Sequence, residues 1–90
     1  MKYQVLWLQS ALDDLTNVWT NAPSQLRQAI SKAGHAIDTQ LVIDPEDQGE
    51  SRPQGRRIAF FPPLGVSYRV DVQHAAVAVV HVWCFQKGLK

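Results

Sequence analysis

From Arg56 to Phe85 the hydrophobic positions follow strand periodicity, and they predict three consecutive β-strands. Arg57, Ile58, Ala59, Phe60 and Phe61 stop at Pro62-Pro63, because neither proline can donate to a ladder. Gly65 then suits a turn. From Val66 to Val72 the pattern alternates, with Val66, Tyr68, Val70 and Val72 on one face and Ser67, Arg69 and Asp71 on the other. Gln73-His74-Ala75 is a short connection without glycine, so the turn type stays open. The run Ala76 to Phe85 is nearly all apolar and suits a central strand covered on both faces.

Upstream, Tyr3 to Leu8 alternates as a first strand. Ser10 is the expected N-cap of a helix over about 11–20, with Asp13 and Asp14 at the positive end of its dipole and Ala11, Leu12, Leu15, Val18 and Trp19 as its buried stripe. Asn21-Ala22-Pro23 breaks that helix, and a second begins at Pro23 or Ser24. Its Leu26, Ile30, Ala33, Ile37 and Leu41 recur every three or four residues. Gly34 costs this helix about 1 kcal/mol relative to Ala, which close packing on the first helix would explain. The short break predicts an αα-hairpin. Asp44 to Gly55 is polar, rich in proline and glycine, and reads as a long loop, a place where functional groups concentrate. The expectation is one domain over residues 1–90, α+β in class. Its order is β-α-α-β-β-β, a small antiparallel or mixed sheet with a helical hairpin on one face.

Composition narrows the function classes. Ninety residues with 46% hydrophobic and 19% charged side chains describe an ordinary globular domain rather than a disordered chain. No segment has the roughly 18 apolar residues of a membrane span, and the start shows no signal-peptide pattern. The lone Cys84 fits a reducing compartment, so the expectation is a cytoplasmic protein without a membrane partner. Within a strand it reads as a small buried hydrophobe rather than a nucleophile. The net charge of +1 hides an asymmetry: residues 1–51 carry three basic and seven acidic side chains, residues 52–90 six basic and one acidic. That polarity fits an anionic partner for the strand half, or simply a solvated charge distribution.

No glycine-rich phosphate loop follows a strand, and no Cys/His spacing suits a metal; His35, His74 and His81 are scattered. No cofactor or metal is therefore expected. One constellation remains, in Glu50, Arg52, Arg56, Arg57, Arg69 and His81. Guanidinium groups with a carboxylate and an imidazole suit phosphodiester cleavage. Arginines hold the scissile phosphate, Glu50 takes a proton from a ribose 2′-hydroxyl, and His81 or Lys87 protonates the leaving oxygen. The alternative is structural: a Glu50–Arg52 salt bridge, Arg69 paired with Asp71 or Glu50, and a hydrogen-bonded core His81.

A first strand ending in a Trp, a helical hairpin, a Pro-Gly loop and three strands with Tyr68-Arg69-Val70 in the middle one resemble the RelE/ParE toxin superfamily of bacterial toxin–antitoxin systems. Gly49-Glu50-Ser51-Arg52, Arg56-Arg57-Ile58, Phe61-Pro62-Pro63-Leu64-Gly65-Val66 and Val82-Trp83 look like a compact subgroup of it. The resemblance implies a first strand beside the last and a cognate antitoxin that wraps the toxin. It also implies one of two activities: metal-independent mRNA cleavage in the ribosome, which inhibits translation, or poisoning of DNA gyrase. A relic of the fold that keeps only antitoxin binding is a third reading. By resemblance, Arg69 matches the arginine that contacts the scissile phosphate and Arg57 a basic group on the preceding strand. Glu50 falls near a loop carboxylate used as base, and Lys87 stands for a terminal basic group. The catalytic set is thus Glu50, Arg57, Arg69 and His81, with Arg52, Arg56 and Lys87 as substrate-binding residues.

Overall fold

The alternating stretches form strands and the three-to-four-residue stretches form helices. A computed structural model describes residues 2–85; the expected roles of Lys87 lie outside them. In chain order the elements are β1 (Gln4–Trp7), α1 (Gln9–Asn21), α2 (Ser24–Gln40), β2 (Glu50–Arg52), β3 (Arg56–Phe61), β4 (Leu64–Asp71) and β5 (Ala76–Cys84). They make the α+β fold expected, but with five strands rather than four, in the order β1-β5-β4-β3-β2. β1 runs parallel to β5, as the first strand beside the last, and all other pairs are antiparallel.

The hydrophobic core lies between one sheet face and the helices. Ile30, Ala33 and Ile37 of α2, with Leu41 just beyond it, meet Leu64, Val66, Tyr68, Val77, Val79 and Val82. The apolar stripe of α2 is thus buried as its spacing predicts. The stripe of α1 is not: Ala11 alone is fully buried, while Leu12 and Trp19 are each 42% exposed. β5 is covered on one face only; Val77, Val79 and Val82 are buried, Ala76, Ala78 and Val80 half-buried, and His81 exposed. Gly34 does face α1, but a Cβ there would meet Leu15 at ordinary contact distance, so close packing does not require the glycine.

The position of α1 explains its exposed residues. β1 pairs only with Ala76–Val79, leaving the edge of β5 beyond Val79 without a strand. α1 takes over that edge. The Leu8 amide donates to the Val79 carbonyl (3.0 Å), the Ser10 hydroxyl to the Val80 carbonyl (2.6 Å), and the Val82 amide to Asp14 Oδ2 (3.1 Å). Ser10 therefore does not cap the helix, which begins two residues earlier than expected with Leu8 in the cap position. The ladder also carries a bulge: Ser67 faces His81 while Tyr68 faces Val79, so Val80 is the extra residue. At the other end of α1, Arg27 donates to the carbonyls of Trp19 and Thr20 (both 2.9 Å) and lies over the Trp19 ring (4.3 Å). These bonds satisfy carbonyls that a helix end leaves orphaned.

The stretch expected as a loop contains β2. Gly49, at φ 70°, allows the chain to enter that strand, and any side chain there would collide with the Ile58 carbonyl. Gly65 is likewise not a turn residue. It lies within β4, and the reversal is made by Pro62-Pro63, joined by a cis peptide bond. The glycine-free hairpin between β4 and β5 closes with Ala75 in the left-handed region (φ 49°). Asp71 holds that turn by accepting from the His74 amide (3.2 Å) and pairing with His74 Nδ1 (2.8 Å). The His74 contact holds the Asp71 carboxyl below its ordinary pKa.

A Gly49→Ala variant is expected to lose about 2–3 kcal/mol in urea unfolding, since the strained φ and the clash with β3 act together. An unchanged midpoint would show that β2 does not need this approach.

Candidate functional site

Directly opposed residues in a sheet share a face, so the register sorts the candidate side chains without further assumption. On the face away from the core, three rows run across the strands. Arg52, Arg56 and Arg69 form the first; Glu50, Ile58, Ser67 and His81 the second; Phe60, Gly65 and Trp83 the third. Successive rows are two residues apart along each strand, about 7 Å. The basic half foreseen in the sequence is thus a line of three guanidinium groups at one end of an open sheet face.

Arg57 is not in that line. The residue opposite Arg69 on β3 is Arg56, and Arg57 pairs with Tyr68 on the core side. Its Nε donates to the Gln48 carbonyl (2.9 Å) and its Nη2 to that of Gly49 (3.2 Å). The buried Tyr68 hydroxyl lies within hydrogen-bond distance of two carbonyls, Pro45 (2.8 Å) and Gln48 (2.7 Å), as their donor. Arg57 and Tyr68 together tie the chain ahead of β2 to the sheet and so set where Glu50 and Arg52 stand. Burial pushes the Tyr68 hydroxyl's pKa up, while Arg57 acts in the opposite direction.

Glu50 and Arg52 form a salt bridge on β2 (3.1 Å), as the structural alternative expects. The pair is solvated, and such pairs contribute about 0–1 kcal/mol, so a phosphate can displace the carboxylate at little cost. Among the described residues Arg69 has no ion pair with Asp71 or Glu50. Arg52, Arg56, Ile58 and Ser67 line a shallow pocket of about 410 Å³, together with Pro53 and Gln54 of the β2–β3 connection. Arg56 Nε is buried there without a hydrogen-bond partner. A buried donor left unpaired costs about 1–3 kcal/mol, which argues that Arg56 is held in place for its outer guanidinium nitrogens rather than for Nε.

His81 is exposed rather than in the core. Its Nδ1 lies 2.9 Å from Asp14 Oδ2, the same oxygen that accepts the Val82 amide. The carboxylate fixes the ring and leaves Nε2 for a ligand. Asp14 is the residue that sequence reasoning missed. Its expected place at a helix start gave no sign that the helix lies along the edge of β5. Glu50 and His81 end the same row, three strand spacings or roughly 14 Å apart at the backbone. The protein alone therefore does not bring its two candidate proton-transfer groups together. Among the described residues, no group of three or more His, Cys, Asp or Glu side chains could hold a metal ion. Among the described residues, no helix is long and apolar enough to cross a membrane.

No protein-family model matches the chain, and no curated protein matches it by sequence. Solved structures do. The toxin–antitoxin complex RelBE2 from Mycobacterium tuberculosis is similar at 21% identity and a TM-score of 0.74, covering 93% of this chain and 92% of that one. A chain of the chromosomal ParDE system from P. aeruginosa is similar at 14% identity and a TM-score of 0.74, covering 94% and 98%. A mutant of E. coli toxin RelE in the free state reaches 16% identity and a TM-score of 0.64, covering 98% of this chain and 88% of that one. The fold is that of the RelE/ParE toxins.

Replacing Tyr68 by Phe is expected to cost about 1–2 kcal/mol at neutral pH, because the Pro45 and Gln48 carbonyls lose a buried donor. The raised pKa adds a pH signature. Its stabilising contribution is complete below 10.0, the ordinary tyrosine value, and is lost as pH rises through the folded-state value. Urea unfolding of wild type from pH 8 upward should therefore show an alkaline loss of stability that the Phe variant lacks. Parallel pH profiles would remove Tyr68 as its source.

Proposed function

We propose that this chain is the toxin of a type II toxin–antitoxin pair, and that it cuts mRNA on the ribosome without a metal cofactor, inhibiting translation. The observation that carries the reading is the row of Arg52, Arg56 and Arg69 on one open sheet face, a set of donors suited to a phosphodiester. Arg69 and Arg56 bind the scissile phosphate and stabilise the charge that develops on its oxygens, with Arg52 beside them. Glu50, released from Arg52, takes the proton of the ribose 2′-hydroxyl. The 2′-oxygen attacks phosphorus and the P–O5′ bond breaks. His81, protonated and held through Nδ1 by Asp14, gives a proton to the leaving 5′-oxygen from Nε2. The products are a 2′,3′-cyclic phosphate and a 5′-hydroxyl. Arg57, expected on the phosphate, acts instead by positioning β2.

The separation of Glu50 from His81 supports dependence on the ribosome. A second surface would hold the scissile phosphate over the row in the in-line geometry that the free protein, with its two proton-transfer groups on separate strands, does not itself impose. The antitoxin partner is read from the neighbours, which include toxin–antitoxin complexes. Its apolar side chains would enter the cleft of about 530 Å³ between α1 and α2, where Leu12 and Trp19 are exposed, with acidic groups against the arginine row. The similarity to the ParDE chain, equal in TM-score to that to RelBE2, favours one second reading: a gyrase inhibitor that uses the same fold without cleavage.

Induction in a bacterial host, with primer extension on a translated reporter, tests the proposal. Wild type should arrest growth and leave new 5′ ends within the message, and co-expression of the neighbouring gene's product should relieve both. Arg69→Ala should reduce cleavage about 100-fold or more while remaining folded. A folded Arg69→Ala protein that stays fully toxic would refute the nuclease, and arrest with intact message would favour gyrase.

A further inference from the structure

The third row of the open face has no part in the proposed chemistry. Phe60 is 58% exposed and Phe85 45%, large apolar areas on the sheet face that neither helix covers. Phe60 makes an edge contact with Trp83 (ring centroids 6.4 Å apart, planes at 87°) and another with Phe85 (5.4 Å, 85°). The indole of Trp83 lies over Gly65, where any Cβ would strike it, so the ring rests against the strand backbone. In each perpendicular contact the edge of one ring meets a face of the other, and none of the three rings has a parallel aromatic partner.

The surroundings select the occupant. Phe60 and Arg56 lie on the same side of β3 four residues apart, about 13 Å along the strand, with Ile58 between them. A partner that used only the aromatic rings would not need the arginine row, and one that used only the arginines would not need the rings. A single-stranded nucleic acid uses both, since its backbone is anionic and each unpaired base offers a flat π-face. The distance between arginines and rings is about two nucleotide steps of an extended strand.

We infer that Phe60, with Trp83 and Phe85, forms a stacking platform for a base of single-stranded RNA whose backbone phosphates about two nucleotide steps away lie on Arg56 and Arg69. This rests on the nuclease reading for the identity of the strand. It adds a subsite that holds a flanking base and so sets the register in which the phosphate is presented.

The test is fluorescence anisotropy at low salt with two labelled probes of equal length, a single-stranded RNA and its abasic ribose-phosphate counterpart. Phe60→Ala is the informative variant, because its side chain is mostly solvent-exposed and circular dichroism can verify that the fold is intact. It should weaken RNA binding roughly tenfold and leave abasic binding unchanged, whereas Phe60→Trp should restore RNA binding. Arg56→Ala should weaken both probes equally. Equal affinities of wild type for the two probes, or no binding to the RNA, would overturn the platform. So would a Phe60→Ala protein that keeps its RNA affinity but no longer captures the neighbouring gene's product, which would assign the rings to a protein interface. These outcomes are independent of the nuclease reading, which stands or falls with Arg69→Ala on translated message.

Discussion

The hydroxyl of Tyr68 is fully buried, and its hydrogen-bond partners are the carbonyls of Pro45, which opens the short 3-10 turn Pro45–Asp47, and of Gln48, which closes it. A buried phenol without a partner would offset much of what its ring contributes by filling the core, and the segment from Pro45 to Gln48 supplies that partner. Arg57 repeats the demand from the neighbouring strand. With Gln48 and Gly49 held, Glu50 to Arg52 has one place to go, the free edge of β3, and it becomes β2. The arginine row starts on that strand. A core bond on one face of the sheet thus decides which charges stand together on the other.

The opposite side of the sheet follows a second constraint of the same kind. A first strand of four residues leaves backbone groups on β5 without a ladder partner, and α1 satisfies them with Ser10 and Asp14. In doing so the helix gives up part of its burial, exposing Leu12 and Trp19 to the cleft with α2. Asp14 also meets His81. The helical layer therefore supplies both an apolar groove and the carboxylate that orients the imidazole.

Much of this was legible in the sequence. The period of three and four in α2, the alternation of β4 and the stop at Pro62-Pro63 each depend on local chemistry and appear where expected. β2 was not legible, because a three-residue strand flanked by proline and glycine carries no periodicity, and its pairing depends on contacts with Tyr68 and Arg57. The expectation of Arg57 on the phosphate rests on its type and on its resemblance to a basic group of the preceding strand. Its face is set by register, which a one-residue slip reverses. Asp14 and Ser10 looked like helix-start residues because sequence shows side-chain chemistry and not which sheet edge lies opposite. The aromatic row was not legible, since Phe60 and Trp83 meet only across the pairing of three strands.

The central claim is that the open face cleaves RNA through the substrate's own 2′-hydroxyl. The most direct measurement is the chemical identity of the ends produced when the purified protein acts on mRNA in a reconstituted translation reaction. The account predicts a 2′,3′-cyclic phosphate on the upstream fragment and a 5′-hydroxyl on the downstream one. A 5′-phosphate and a free 3′-hydroxyl would contradict it, because water rather than the ribose would then have attacked. Intact message in the presence of folded, growth-arresting protein would contradict cleavage altogether.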